Sequence, residues 1–415
     1  MSRVAHVIGA GLAGLSAAVE LARAGYRVRL VDGAAQAGGR CRSYYDAQLG
    51  LTIDNGNHLV LSGNQTVARY LATIGASDRL TGPDGADFPF IDLRSGARWA
   101  FRPNAGRLPW WLFARDRRVP GAGVAAHLAL AKLLIGKRGD TVTDRVAPRG
   151  LLWERLLEPV LVSALNTAPA EASADLAAAV VRQSLARGGA ATMPRVAHPT
   201  LAATFVQPAL DWLKLKGARF DTGRRLRALE FEGDEVTRLD FADGAEAVEG
   251  PVVLAVPAWV AQSLVPGLAA PNAFRAIVNA HFAHPAPPGA PLLIGVVGGT
   301  AEWIFAFPDR LSVTVSAADA IVDQDRETLA RLFWAEIGKT LNLQAPMPAW
   351  QIVKEKRATF AATPEQDGLR PAAATKWRNL FLAGDWTQTK LPATIEGALR
   401  SGVTAAQLAQ AAAIV

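Results

Sequence analysis

The chain opens on an apolar run of five, residues 4–8 (VAHVI), the length of a buried strand. Three glycines follow in Gly9-Ala-Gly11-Leu12-Ala13-Gly14. Residues 15–24 then carry a helical pattern with the small Ala17 and Ala18 on one face. A second apolar run over 27–31 ends in Asp32. Strand-like runs recur over 49–53, 226–231, 236–241, 252–256, 292–297, 303–307 and 311–316, and charged glycine turns at 232–234 and 243–244 predict hairpins. Helical periodicity marks 66–74, 122–135, 153–165, 171–185, 200–215 and 323–341. Ser62 and Gln65 have capping-box spacing for the first of these. A last buried strand, within 379–386, leads through Pro392 into a C-terminal helix. The pattern predicts an α/β (α+β overall) fold. A Rossmann-type domain is built from the discontinuous segments 1–65, 200–265 and 350–415. A helical and antiparallel-sheet substrate domain takes 66–199 and 266–349.

Strand, GxGxxG, helix, strand and acid, in that order, form a dinucleotide-binding unit, with Asp32 eighteen residues after Gly14. Gly9 makes the tight turn, Gly11 lets backbone approach a pyrophosphate, and Gly14 lets helix pack on strand. The helix start at Leu12 and Ala13 aims free N–H groups at the phosphates. Asp32 accepts from a ribose. Gly38-Gly39-Arg40 follows six residues later, where a nicotinamide enzyme has nothing comparable. Two glycines allow close approach, and Arg40 adds a planar cation for a phosphate or a flavin edge. At the far end Gly384-Asp385 closes a strand, with Asp385 placed for ribityl or pyrophosphate-linked bonds. The helix N-terminus at Ala393, Thr394 and Ile395 puts N–H dipoles beside the flavin pyrimidine oxygen. Together these fit a bound dinucleotide, and their resemblance to a superfamily of FAD enzymes implies FAD. It is held non-covalently, because the single cysteine, Cys41, adjoins the phosphate-side Arg40. No second unit of this kind exists, so reducing equivalents come from transient NAD(P)H contact or a separate reductase, which the sequence does not identify. No metal-ligand pattern is present.

Composition narrows the setting. A chain of 415 residues favours two domains, and one cysteine suits a reducing, cytoplasmic compartment. The dinucleotide unit starts at Val4, leaving no space for a signal peptide, and no apolar run reaches the roughly 18 residues of a membrane span. Over residues 102–149 ten Lys and Arg stand against three Asp, a local +7 that equals the net charge of the chain. No nucleic-acid motif accompanies them. Their neighbours are Trp99, Phe101, Trp110, Trp111 and Phe113 and the 122–135 helical pattern. The segment therefore reads either as one that touches an anionic membrane surface, with the Trp110–Trp111 pair in the interface, or as an insertion with a solvated basic face.

The glycine and GGR patterns resemble the FAD-dependent amine oxidase and carotenoid desaturase superfamily. Within it, Asp54-Asn55-Gly56-Asn57-His58 resembles the DNGxH signature of the hydroxysqualene dehydroxylases, flavin enzymes of bacterial hopanoid synthesis. WERLLEPVLVSALNTAPAEAS and the stretch from KEKRATF through FLAGDW to LPATIEGALRSG are similar to the same family. The resemblance places Leu226 against the adenine and the 54–58 loop on the substrate side of the flavin. It implies that a reduced flavin replaces an allylic hydroxyl of hydroxysqualene by hydrogen, giving squalene. The partner is then an apolar C30 isoprenoid, for which eleven tryptophans and a high aliphatic content suit a tunnel. Departures are Asp32 for the usual glutamate, Asn57 where glutamine is expected, and Lys390 where glycine is common.

His58, with an ordinary pKa of about 6.5, reads as the proton donor for the departing hydroxyl or as a brace for Asp54 and the following helix. Asp54 and the asparagines read as loop ties through side-chain to backbone bonds. Lys354, Lys356 and Arg357 serve phosphate binding or strand pairing. Other readings are a carotenoid or squalene-type desaturase, an amine oxidase, for which no aromatic cage is found, and a non-catalytic prenyl-binding protein, which needs no intact flavin site.

Overall fold

The computed structural model describes residues 3–412. A five-stranded, wholly parallel sheet runs in the order Arg219–Asp221, Arg27–Val31, Val4–Ile8, Val252–Leu254 and Leu380–Leu382. Its strands come from three distant parts of the chain, as the discontinuous Rossmann reading expects. Val4–Ile8 is central and covered on both faces, which is why it reads as an apolar run broken only by the buried His6. On one face Val7, Val28, Leu30 and Val253 pack under the helix Leu12–Arg23. On the other, Ile8, Val31, Val252 and Leu254 share a core with Leu229, Leu239 and Phe241 of a three-stranded antiparallel sheet. The helix Leu12–Arg23 lies against the C-terminal helix Ile395–Ala412. Contact is close because position 402 is glycine: a Cβ there would stand 2.2 Å from the Ala13 carbonyl oxygen.

The second sheet has seven strands, ordered Trp350–Phe360, Phe274–Phe282, Leu311–Val315, Trp303–Ala306, Leu293–Val297, Phe88–Asp92 and Arg98–Phe101. All neighbours are antiparallel except Leu293–Val297 with Phe88–Asp92. Side chains alternate between its faces. Val278, Ala280, Phe282, Val313 and Ile304 bury against Leu329, Phe333 and Ile337 of the helix Arg326–Leu341. The opposite face is polar at one end, with Asn279, His281, Ser312 and Thr314. It is aromatic at the other, with Phe90, Trp99, Trp303 and Phe305 in one cluster.

Several expectations from the pattern change. Trp350–Phe360, placed in the cofactor domain by its position in the chain, pairs with Phe274–Phe282 in the large sheet. There Lys356 meets Asp323 at 2.6 Å, Lys354 bonds the Gln324 carbonyl, and Arg357 lies over Trp259. The helix Gln65–Ile74 has no capping box. Ser62 is turned to the Ala190 carbonyl and Asn64 to the Leu61 N–H. A carboxylate from the other end of the chain takes over: Glu396 accepts from the N–H groups of Thr66 and Val67 and from the Thr66 hydroxyl. The helical pattern over 122–135 breaks into Val124–Leu128 and a tighter turn, Ala129–Leu134. The Trp110–Trp111 pair is divided. Trp111 is buried edge-on against Phe101 and His127, while Trp110 is exposed beneath Arg117.

Candidate functional site: a glycine cradle beside a polar sheet face

Three segments far apart in sequence meet at the carboxyl ends of the parallel strands. Gly9 is held at φ +105°, and a Cβ there would lie 2.4 Å from the Ala255 carbonyl oxygen. A Cβ at Gly14 would stand 1.8 Å from the Gly9 carbonyl oxygen, so the helix Leu12–Arg23 can start here only with hydrogen at that position. Gly11 differs, because no atom comes within 4 Å of where its Cβ would be. Gly38 and Gly39, at φ +107° and +54°, lie against this turn, with the Gly38 N–H donating to the Ala10 carbonyl at 2.8 Å. Arg40 then spans to the third segment. It donates to the Ala358 carbonyl at 2.6 Å and pairs with Asp385 at 2.7 Å. The loop after Asp385 is fixed by Arg370, which is fully buried and donates to the Asp385 and Thr387 carbonyls and the Thr389 hydroxyl.

Asp32 closes the other end. Its two oxygens accept the N–H groups of Ala10 and Ala34, at 2.6 and 2.7 Å, so a ribose would use the remaining lone pairs. The Arg224 N–H donates to the Asp32 carbonyl, and Leu226, two residues on, is buried. Leu12 and Ala13 form the first turn of the helix behind Gly11. At the C-terminal helix the N–H groups of Ala393, Thr394 and Ile395 meet no protein acceptor among the described residues, and the Thr394 hydroxyl caps the Gly397 N–H. The open face at Gly11, the left-handed glycines and these unclaimed donors fit an extended, anionic dinucleotide. Cys41 is buried, and burial pushes its thiol up to about 12, which makes it inert as an attachment point.

The 54–58 loop lies across the polar end of the large sheet. The Asn57 N–H donates to Asn279 Oδ1 at 3.2 Å, and its side-chain amide donates to Thr314 Oγ1 at 3.1 Å. Asp54 accepts from Ser43 Oγ and the Leu201 N–H, the loop tie expected of it, and stands 3.7 Å from Arg310. Burial raises its carboxyl above the usual range. His58 is half-buried and makes no hydrogen bond to Asp54 or to any other described residue, so it is not the brace. Burial first, and then the nearby Arg40 cation, lower its imidazole to about 4. The proton donor with an ordinary pKa is therefore corrected: near neutral pH His58 is uncharged, with one N–H and one open lone pair.

Asn279, Thr314, Arg370 and Glu396 escaped the sequence reading. The first two leave a trace, polar residues two apart (Asn279/His281, Ser312/Thr314) inside apolar strands. That stripe shows a polar face without showing what meets it.

The sequence profile described as flavin-containing amine oxidoreductase matches residues 12–409. The chain is 52% identical to a hydroxysqualene dehydroxylase of Rhodopseudomonas palustris over 99% of both chains. It is 48% identical to a hydroxysqualene dehydroxylase of Zymomonas mobilis over 98% of this chain and 99% of that one. Among solved structures, a putative protoporphyrinogen oxidase from Exiguobacterium superposes with a TM-score of 0.71 at 16% identity, covering all of both chains, which speaks for the fold alone.

Proposed function

Since the chain belongs to the flavin-containing amine oxidoreductases and, within them, to the hydroxysqualene dehydroxylases, we propose that it converts hydroxysqualene to squalene. FAD is its cofactor. The observation that carries the site assignment is the Arg40–Asp385 pair, which joins the GGR turn to the closing strand and so assembles the cradle. Gly11 would admit the pyrophosphate at the turn that Gly9 and Gly14 shape, Asp32 and Leu226 would hold the adenosine end, and the N–H groups at Ala393 to Ile395 would lie toward the ring. When bound, the reduced flavin supplies a hydride to the carbon from which the hydroxyl leaves.

The balance is one hydride and one proton in, one water out, with C–O broken and C–H formed. The chain must place the carbon, keep bulk water out and bring the proton to the departing oxygen. The aromatic end of the sheet, with Phe90, Trp303 and Phe305, offers the apolar wall for the first two tasks. His58, uncharged and without a protein partner, orients the hydroxyl through its N–H and relays the proton from water through its lone pair. A hydrocarbon of this length dissolves in a bilayer rather than in water, so the reading makes the protein peripheral to a membrane. No helix among the described residues is long and apolar enough to cross one.

The test is anaerobic single turnover of hydroxysqualene by the reduced, FAD-loaded protein, with the product identified by mass. Squalene is expected. Loss of two hydrogens from squalene supplied to the oxidised protein, with reduction of its flavin, would mean a desaturase, and a protein without a flavin absorption band would mean prenyl binding alone. In the same assay His58→Phe should slow hydride transfer at least tenfold, within the roughly 10²–10⁴ of lost acid–base help. His58→Gln, which keeps a hydrogen bond, should match Phe if the proton matters and wild type if orientation does. FAD content and melting temperature should stay near wild type. Unchanged transfer in both variants would remove His58 from the chemistry.

A further inference from the structure

Six of the nine large apolar side chains that stand exposed among the described residues fall in one stretch of chain. They are Leu108, Trp110, Phe113, Leu128, Ile135 and Leu151, with Leu108, Phe113 and Ile135 more than three-quarters exposed. Their segment is no loose arm. Its inner side, with Trp111, Leu133, Val142 and Val146, is buried in the same core as Phe90, Trp303 and Phe305. The short helical turns Trp110–Phe113 and Val124–Leu128 contact each other, so the exposed residues of both belong to one packed unit. Arg145, counted among the cations of the sequence pattern, is buried against Asp140 and Asp175 and so belongs to this inner scaffold.

The outer side also carries charge. Arg107, Arg115, Lys132, Lys137, Arg138 and Arg149 are exposed and make no ion pair among the described residues. Apolar side chains exposed between unpaired cations match one partner chemistry, a surface with an anionic skin over a hydrocarbon interior. A polynucleotide would leave the apolar groups in water, and a second copy of the face would set cation against cation.

We propose that this face docks on an anionic lipid bilayer and that the hydrocarbon substrate enters from it, an inference that rests on the isoprenoid reading above. Trp110 and Phe113 enter the interface, Arg107, Lys132, Lys137 and Arg138 bind headgroups, and Trp111 stays in the core.

The experiment is flotation of the FAD-loaded protein with phosphatidylcholine vesicles, with and without 30% phosphatidylglycerol, together with turnover of substrate in detergent and in vesicles. Wild type should float with the anionic vesicles and release in salt. Lys132→Gln/Lys137→Gln/Arg138→Gln should lower partition about a hundredfold, three cations at the usual contribution each. Trp110→Ser/Phe113→Ser should lower it at least about tenfold. Both variants should keep turnover in detergent while KM rises in vesicles. Equal binding to neutral and anionic vesicles, unchanged binding by both variants, or a dimer formed through this face without vesicle binding would each overturn the proposal. If wild type floats as expected but makes no squalene in detergent, docking stands and the functional reading falls. Squalene formed in detergent without flotation would overturn docking and leave the functional reading standing.

Discussion

The glycine cradle and the 54–58 loop lie side by side at the same site, yet they are built on different terms. In the cradle, main-chain geometry dictates the residue. Gly9, Gly38 and Gly39 have left-handed φ values, and Gly14 has a carbonyl oxygen where a side chain would begin. Only glycine satisfies these constraints, and all of them arise within a few residues of each other or from the next strand. In the loop, the residues are fixed but their chemical state is imposed from outside. His58 is pulled down to about 4 by burial and by Arg40. Asp54 is raised by burial while Ser43, Leu201 and Arg310 surround it. A constraint on shape is written where it acts. A constraint on charge is written wherever the neighbours happen to be.

The cradle half of this contrast breaks most visibly at two of its own glycines. Gly14→Ala forces a methyl into the Gly9 carbonyl, and both partners are backbone. The expected loss is more than about 3 kcal/mol of stability, seen as a large drop in melting temperature with or without FAD. Gly11→Ala should do the opposite. Its φ of −71° suits alanine and its surroundings are open, so the apoprotein should melt within about 1 °C of wild type. FAD affinity should fall at least about tenfold as the methyl enters the approach path. If Gly11→Ala unfolds the protein, or Gly14→Ala merely loosens FAD, the division of labour between the two glycines is wrong.

The same contrast explains what could be read from the sequence. Val4–Ile8, Gly9 to Gly14, Asp32 and the Gly384-Asp385 strand announce themselves, because strand length, glycine spacing and a closing acid are local. The cap on Gln65–Ile74 could not be read. Ser62 and Gln65 have the right spacing, but Glu396 supplies the carboxylate from 330 residues away. The Trp110–Trp111 pair could not be divided either, since only the packing of Phe101 and His127 decides which ring is covered.

A pH series sharpens the charge half. His281, fully buried in Phe274–Phe282 with Nδ1 at 2.9 Å from Ser312 Oγ, is lowered to about 3 by burial and then by Arg310. The unfolded chain binds a proton near pH 6.5 that the native protein refuses. Its contribution is therefore complete above pH 6.5 and is lost as pH falls towards 3. The slope is about 1.4 kcal/mol per pH unit for one such histidine. His6 and His58, each lowered to about 4, add to the fall over 6.5–4, and the raised Asp54 carboxyl opposes it at the acid end. Chemical denaturation of His281→Asn at several pH values should show a shallower fall between 6.5 and 4, whatever its absolute stability. An unchanged slope would mean that the buried imidazole accepts its proton without cost.

The smallest effect tests whether the cradle's rule extends to a position that breaks it. Lys390 occupies the left-handed region at φ +60°, in the loop between Asp385 and the C-terminal helix. That conformation explains why glycine is the expected residue there. A side chain in it costs about 1–2 kcal/mol, whereas glycine loses roughly 0.5–1 kcal/mol more chain entropy on folding. The difference leaves Lys390→Gly about 0.5–1 kcal/mol more stable than wild type. Lys390→Ala separates backbone from side chain, because alanine keeps the strain and loses only an exposed ammonium. It should melt with wild type while the glycine variant melts higher. FAD affinity should be unchanged in both, since Arg370 holds the loop through the Asp385 and Thr387 carbonyls and the Thr389 hydroxyl, not through Lys390. If alanine and glycine stabilise alike, the cost lies in the lysine side chain and local shape does not govern this position. If neither changes stability but both weaken FAD, Lys390 belongs to the cofactor shell, and its strain is kept for the charge it presents there.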